Sequence, residues 1–108
     1  MKDDKVYLQN ILECILKIEN YTLSGEEDFM RSSLIQDGVI RNLEIIGEAT
    51  KRISEQSKDL FPDVPWRQMA GLRDVLIHDY MGVDLRTVWN VVARELPRLK
   101  PQIKKLLD

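Results

Sequence analysis

The apolar residues of this 108-residue chain recur at intervals of three and four, and this spacing limits its fold more than any other feature. The first stretch contains Leu8, Ile11, Leu12, Ile15 and Ile18. Such spacing places side chains on one face of an α-helix, whereas a half-buried strand would alternate. No internal repeat, low-complexity stretch or interdomain linker interrupts the pattern. The sequence therefore predicts one all-α domain spanning residues 1–108.

Capping and breaking residues divide the chain into about five helices. They run from Asp3 to Asn20, from a start at Ser24, from Leu34 to Ser57, from Pro65 to His78, and onward from Asp84. Ser24 and Glu27 have the spacing of a capping box. Two points stay open: whether the second and third helices are continuous, with Asp37-Gly38 as the favoured interruption, and whether Pro97 kinks the last helix or starts another.

Gly47 lies inside the predicted long helix. Glycine in a helix interior costs about 1 kcal/mol relative to alanine. Close approach of another helix would explain its presence, and a tolerated defect would explain it equally well.

Composition argues against several classes of protein. No apolar run approaches the roughly 20 residues of a membrane span, so no membrane association is expected. The charged start, Met1-Lys2-Asp3-Asp4-Lys5, lacks the apolar segment of a signal peptide, so we expect a cytoplasmic location. Cys14 and His78 are the only residues of their types, which argues against an internal disulfide and against an N/S metal site. We therefore expect no metal and no cofactor.

The net charge of −2 gives no global basic field of the kind that attracts nucleic acids. Residues 84–108 nevertheless carry six Lys or Arg against three Asp or Glu. The six are Arg86, Arg94, Arg98, Lys100, Lys104 and Lys105. They could attract a polyanion, but a solvated helix face is the preferred interpretation.

The stretch from Gly71 to Tyr80 holds the only histidine and is the strongest candidate for chemistry. Arg73 can grip phosphate oxygens in bidentate fashion, and His78 can transfer a proton near neutral pH. With RNA, the 2′-hydroxyl can attack its own phosphate, which requires neither a protein nucleophile nor a metal. Taken singly, each of Arg73, His78 and Tyr80 also has an ordinary structural explanation.

Helical geometry does not bring these three residues together. Arg73 and Tyr80, seven apart, share a helix face, but His78 lies about 140° from Arg73. Either the helix ends near His78 and the ring swings back, or a second subunit completes the site.

Arg73-Asp74-Val75-Leu76-Ile77-His78-Asp79-Tyr80 resembles the Arg-x4-His-x-Tyr signature of HepT-like proteins in the HEPN superfamily. The similarity extends over essentially the whole chain. Its other blocks are Lys2-Asp3-Asp4, the segment from Ile40 to Ala49, Pro65-Trp66, Gly82-Val83-Asp84-Leu85 and Val88-Trp89.

The resemblance implies a HEPN-type helical bundle that forms a homodimer, with the two motif copies facing a shared cleft. It implies a metal-independent RNase toxin of a type VII toxin–antitoxin pair, neutralised by a minimal nucleotidyltransferase that transfers AMP from ATP. Arg73 would contact the phosphate of the RNA substrate, and His78 would be the general acid/base. Asp74 would help orient the site, and Tyr80 would accept the AMP group.

A second polar group lies in the predicted long helix and consists of Arg41, Asn42, Glu44 and Glu48. The group could support the cleft or a dimer contact, and intrahelical ion pairs on a solvated face are an equally good explanation. Two alternatives to the nuclease also remain: a non-catalytic binding module for the nucleotidyltransferase, and a purely structural helical dimer.

Overall fold

The computed structural model describes residues 2–78 and 84–108, and these residues form helices joined by short turns. The α-helices are α1 (Lys2–Tyr21), α2 (Glu26–Arg31), α3 (Ser33–Arg52), α4 (Glu55–Leu60), α5 (Trp66–His78), α6 (Leu85–Asn90) and α7 (Leu96–Leu107). A π-helical turn, Val91–Glu95, joins α6 to α7 without a break. The described residues contain no strand, so the all-α prediction is confirmed. None of their helices is long and apolar enough to cross a membrane.

Helix α3 lies at the centre of the bundle and packs against both α1 and α5, while α7 packs against α1. The predicted stripe on α1 is confirmed, because Ile11, Ile15 and Ile18 are fully buried. Each such side chain contributes about 1.5–3 kcal/mol when it leaves water. The rings of Phe29 and Trp89 pack against each other, with their centroids 5.3 Å apart, and so connect α2 to α6.

The break between α2 and α3 falls at Ser32, so the predicted interruption at Asp37-Gly38 is wrong. Ser32 caps α3 by accepting a hydrogen bond from the backbone N–H of Ile35 at 3.2 Å. The predicted cap at Ser24 is also wrong. Helix α2 begins after Gly25, whose φ of 93° lies in the left-handed region that favours glycine.

Pro97 does not interrupt the last helix, which continues from residue 85 to residue 107. Pro97 lies in the first turn of α7, directly after the π turn. Proline has no N–H to donate to the carbonyl four residues earlier, and we attribute the change in helix type to this missing donor.

Helix α3 ends at Arg52 rather than continuing to Ser57 as predicted. The backbone turns at Ile53, and Ser54 caps the short helix α4. The carboxylate of Asp4, at the start of α1, holds this junction in place. It accepts hydrogen bonds from the backbone N–H of Ser54 at 3.0 Å, from the Ser54 hydroxyl at 2.7 Å and from the Ser57 hydroxyl. Asp4 therefore ties α1 to the junction between α3 and α4.

Replacing Asp4 with Asn should lower the free energy of unfolding at neutral pH by about 1.5–3 kcal/mol, because the half-buried donors of Ser54 and Ser57 lose a buried, charged acceptor. Burial alone would raise the pKa of Asp4, but the hydrogen bonds from Ser54 and Ser57 hold it below its ordinary value of 3.8. The wild-type advantage is therefore complete above this ordinary value and is lost as the pH falls through the lower folded-state pKa. Urea unfolding at pH 7 and at pH 3 measures both effects. The control is Asp3→Asn at the exposed neighbouring position. If the stability difference between the wild type and Asp4→Asn is the same at both pH values, the Asp4 carboxylate does not stabilise this junction through its charge.

Candidate functional site

A groove of about 400 Å³ lies where α1, α3 and α5 meet. Its lining consists of Tyr7 and Asn10 from α1, Arg41, Glu44, Ile45, Glu48, Ala49 and Arg52 from α3, and Arg73 from α5. We call this feature the arginine groove. Three arginines and two glutamates give the lining a charge of +1, in contrast to the net −2 of the chain. Within the described residues, no three His, Cys, Asp or Glu side chains cluster in a way that could hold a metal ion.

Gly47 brings the backbones of α3 and α5 into contact at this groove. A Cβ atom added to Gly47 would lie 2.5 Å from the Cβ and 2.9 Å from the backbone nitrogen of Arg73. Both distances are too short for a real contact, so only glycine fits. Of the two explanations for Gly47, close helix approach is therefore correct, and it places Arg73 directly over α3.

Glu48 holds the guanidinium of Arg73. The Arg73 Nε lies 2.6 Å from Glu48 Oε2, and the two side chains are 33% and 44% exposed. The other carboxylate oxygen, Oε1, lies 3.5 Å from an Nη of Arg52. A pair this exposed contributes little to stability because water screens it. Its main effect is to orient the guanidinium toward one position in the groove.

The remaining members of the second polar group divide between groove and core. Arg41 pairs with Glu44 at 3.6 Å, and both line the groove. Asn42 is buried outside this lining, and its side-chain amide donates to the carbonyl of Gly38 at 2.8 Å. Arg41, Glu44 and Glu48 therefore form intrahelical ion pairs and line the arginine groove, while the Asn42 side chain bonds to its own helix. Their support of a dimer cleft stays a prediction.

The motif residues are described to different extents. Arg73 and His78 both belong to α5, which ends at His78, so their backbone positions remain about 140° apart around the helix axis. The side chains of Asp74 and His78 lie outside the described part of the structure, as does the whole of Tyr80. The predicted loop over residues 79–82 also lies outside it. The convergence of Arg73 and His78 stays a prediction.

Among the polar residues that line the groove, three were not identified from the sequence: Tyr7, Asn10 and Arg52. Arg52 had a detectable signal, because it follows Glu48 by four residues and so continues the spacing of the second polar group. Tyr7 and Asn10 lie at the edge of the apolar stripe of α1, and only the packing of α1 against α3 brings them to the groove.

The family described as Ribonuclease HepT-like matches residues 11–106 of the chain. The chain belongs to this family. A HepT-like relative from Thermococcus cleftensis, named as a probable ribonuclease HepT, is 47% identical over 106 residues, which are 97% of this chain and 96% of the relative. A candidate RNase of Caldanaerobacter subterraneus is 40% identical and is covered over 97% of its length.

A third relative is longer than this HepT-like chain. It comes from Methanocaldococcus jannaschii, is named as a gamma-glutamylcyclotransferase and candidate RNase, and is 45% identical over 99% of this chain. The chain spans about half of that protein, 49% of its length. No solved structure matches the chain. Family membership and the helical bundle confirm the resemblance drawn from the sequence blocks.

Proposed function

We propose that this HepT-like chain is a metal-independent endoribonuclease and the toxin of a toxin–antitoxin pair. The observation that carries the proposal is the position of Arg73. Its guanidinium is oriented by Glu48 at 2.6 Å and lies in a groove with two further arginines. Membership of a ribonuclease family supports the same assignment.

The proposed reaction is attack by the ribose 2′-hydroxyl of RNA on its own 3′-phosphate. His78 takes the 2′-hydroxyl proton as the O2′–P bond forms, and the P–O5′ bond breaks. The departing O5′ takes up a proton from water, and His78 later releases the proton it accepted to solvent, which leaves a 2′,3′-cyclic phosphate and a 5′-hydroxyl. Arg73 stabilises the negative charge on the phosphoryl oxygens, because a guanidinium stays protonated and binds two oxygens at once. Asp74 follows Arg73 in α5 and is assigned a supporting role in orienting the site.

A homodimer is part of the proposal for a geometric reason. The backbone positions of Arg73 and His78 lie about 140° apart around the axis of one straight helix. Two copies related by a twofold axis can place Arg73 of one copy beside His78 of the other. Each dimer would then contain two equivalent sites.

Cleavage by the purified chain in excess EDTA tests the proposal. We expect a single-stranded RNA oligonucleotide to be cut into products with cyclic phosphate ends, and the same sequence with 2′-deoxy sugars to remain intact. The deoxy oligonucleotide is the matched control because only the attacking oxygen is missing. Cleavage of the deoxy strand, or a requirement for an added divalent ion, would refute the mechanism.

Neutralisation is proposed to occur through Tyr80. Its hydroxyl would attack the α-phosphorus of ATP held by a minimal nucleotidyltransferase, form a tyrosine–AMP phosphodiester and release pyrophosphate. The added phosphate and base would then obstruct RNA by charge and by bulk.

Intact-mass measurement after incubation with that partner and ATP should show AMP on the wild type and none on Tyr80→Phe. The chain has only two other tyrosines, Tyr7 and Tyr21, so Tyr7→Phe and Tyr21→Phe complete the control set. Equal labelling of all three variants would eliminate Tyr80 as the acceptor.

A second candidate function is a non-catalytic binding module for the same nucleotidyltransferase. The observation that favours it is the carboxylate of Glu48, which already neutralises Arg73, in a chain of net charge −2. This alternative predicts co-purification with the partner and no RNA cleavage at any enzyme concentration.

A further inference from the structure

We propose that Tyr7, Asn10 and Arg52 form a nucleotide subsite beside the scissile phosphate, which holds one base of single-stranded RNA and a neighbouring phosphate. The proposal rests on the nuclease function above and assigns a role to groove residues outside the motif. All three residues line the same groove as Arg73.

Tyr7 and Asn10 have the chemistry that a base requires. They are three residues apart on α1 and therefore lie next to each other on one face of that helix. Tyr7 is half-buried, which holds its ring in place, and Asn10 is exposed. An aromatic ring stacks on any base, and a side-chain amide offers both a donor and an acceptor to a base edge.

The three arginines of the groove are spread along the length of α3. Arg41 and Arg52 are eleven residues apart on α3, a separation of about 16 Å along the helix axis. Arg73 approaches α3 at Gly47, between these two positions. An extended strand can therefore meet several guanidinium groups in succession, while Tyr7 and Asn10 line the same groove from α1. A volume of about 400 Å³ lies within the range of pockets that hold a small ligand, such as one nucleotide.

Fluorescence anisotropy with a labelled 2′-O-methyl RNA oligonucleotide tests the subsite, because this strand lacks the attacking hydroxyl and reports binding alone. We expect Tyr7→Ala to weaken binding about fivefold or more, and Tyr7→Phe to stay within about twofold, since the ring remains. Asn10→Asp should also weaken binding, because it brings a negative charge close to the RNA. Tyr21→Ala and Asn20→Asp repeat these two changes on the same helix outside the groove lining and should bind like the wild type.

Arg52→Ala should lower the slope of log affinity against log salt by about 0.7, the effect of one lost phosphate contact with a single strand. Arg98→Ala, an exposed arginine of α7, is its control. Thermal unfolding identifies any variant that has lost its fold. If Tyr7→Ala fails to fold, Asn10→Asp at an exposed position still tests the subsite.

Wild-type affinity in the Tyr7→Ala and Asn10→Asp variants would overturn the subsite. Dissociation of the dimer in the Tyr7→Ala or Asn10→Asp variant would also overturn the subsite, because these residues would then lie in a subunit contact. If the wild type cleaves RNA but Tyr7→Ala binds RNA as the wild type does, the subsite is wrong and the nuclease function stands. If binding depends on Tyr7 but natural RNA is not cleaved, the subsite is supported and the nuclease function is wrong.

Discussion

Replacing His78 with Ala should slow RNA cleavage by about 10²- to 10⁴-fold, the usual contribution of a positioned general acid/base. RNA affinity should change little, because Arg73 and the other groove arginines remain. The measurement is single-turnover cleavage in EDTA, with affinity measured separately on the 2′-O-methyl strand. An unchanged cleavage rate would show that His78 takes no part in the reaction.

The same variant can test whether each site is shared between two copies. Arg73→Ala and His78→Ala chains are each expected to be inactive alone. If Arg73 of one copy works with His78 of the other, a mixed dimer regains one intact site. Random mixing should then restore about a quarter of the wild-type activity, because half of the dimers are mixed and each has one working site of two. No recovery on mixing would place both groups within a single copy.

Replacing Gly47 with Ala should lower the free energy of unfolding by about 1–3 kcal/mol, although alanine is the better helix former. The added carbon would lie 2.9 Å from the backbone nitrogen of Arg73, so α5 must move away from α3. Cleavage should fall as well, because the same movement displaces Arg73 from its position in the arginine groove.

Gly71 supplies the matched control for this change. It lies within α5, and a Cβ added there meets no atom within 4 Å. Gly71→Ala should therefore raise the free energy of unfolding by up to about 1 kcal/mol. Chemical denaturation of Gly47→Ala and Gly71→Ala measures both changes in the free energy of unfolding. Stabilisation by both substitutions would mean that α3 and α5 do not require glycine at their crossing.

The sequence predicted those parts of the fold that depend on local signals. The apolar spacing in α1 and the cap at Asp84, whose carboxylate accepts from the N–H of Arg86 at 2.9 Å, are of this kind. The end of α3 was missed because Ile53 continues the apolar rhythm, as it would inside a helix. The junction there is bonded to Asp4, which lies fifty residues before Ser54, and no local pattern reports such a partner.

In the candidate site, too, the residues marked by local sequence signals were predicted, and those brought in by tertiary packing were not. Arg73 and Glu48 were found from the motif and from helical spacing, and the structure brings them into contact. Tyr7 and Asn10 reach the groove only through the packing of α1 on α3, so their own neighbours in the chain do not mark them. Whether His78 meets Arg73 depends on side chains outside the described residues and stays a prediction.

The carboxylate of Glu48 already occupies the guanidinium of Arg73, so any phosphate ligand must compete with it. Inorganic phosphate or a mononucleotide that enters the groove must compete with an ion pair already formed at 2.6 Å, and gains little by replacing it. A polymer would differ if it binds as proposed, because its neighbouring phosphates would meet Arg41 and Arg52 at the same time and each added contact would favour displacement. Glu48 alone would then make the groove prefer a polynucleotide over free phosphate or a mononucleotide.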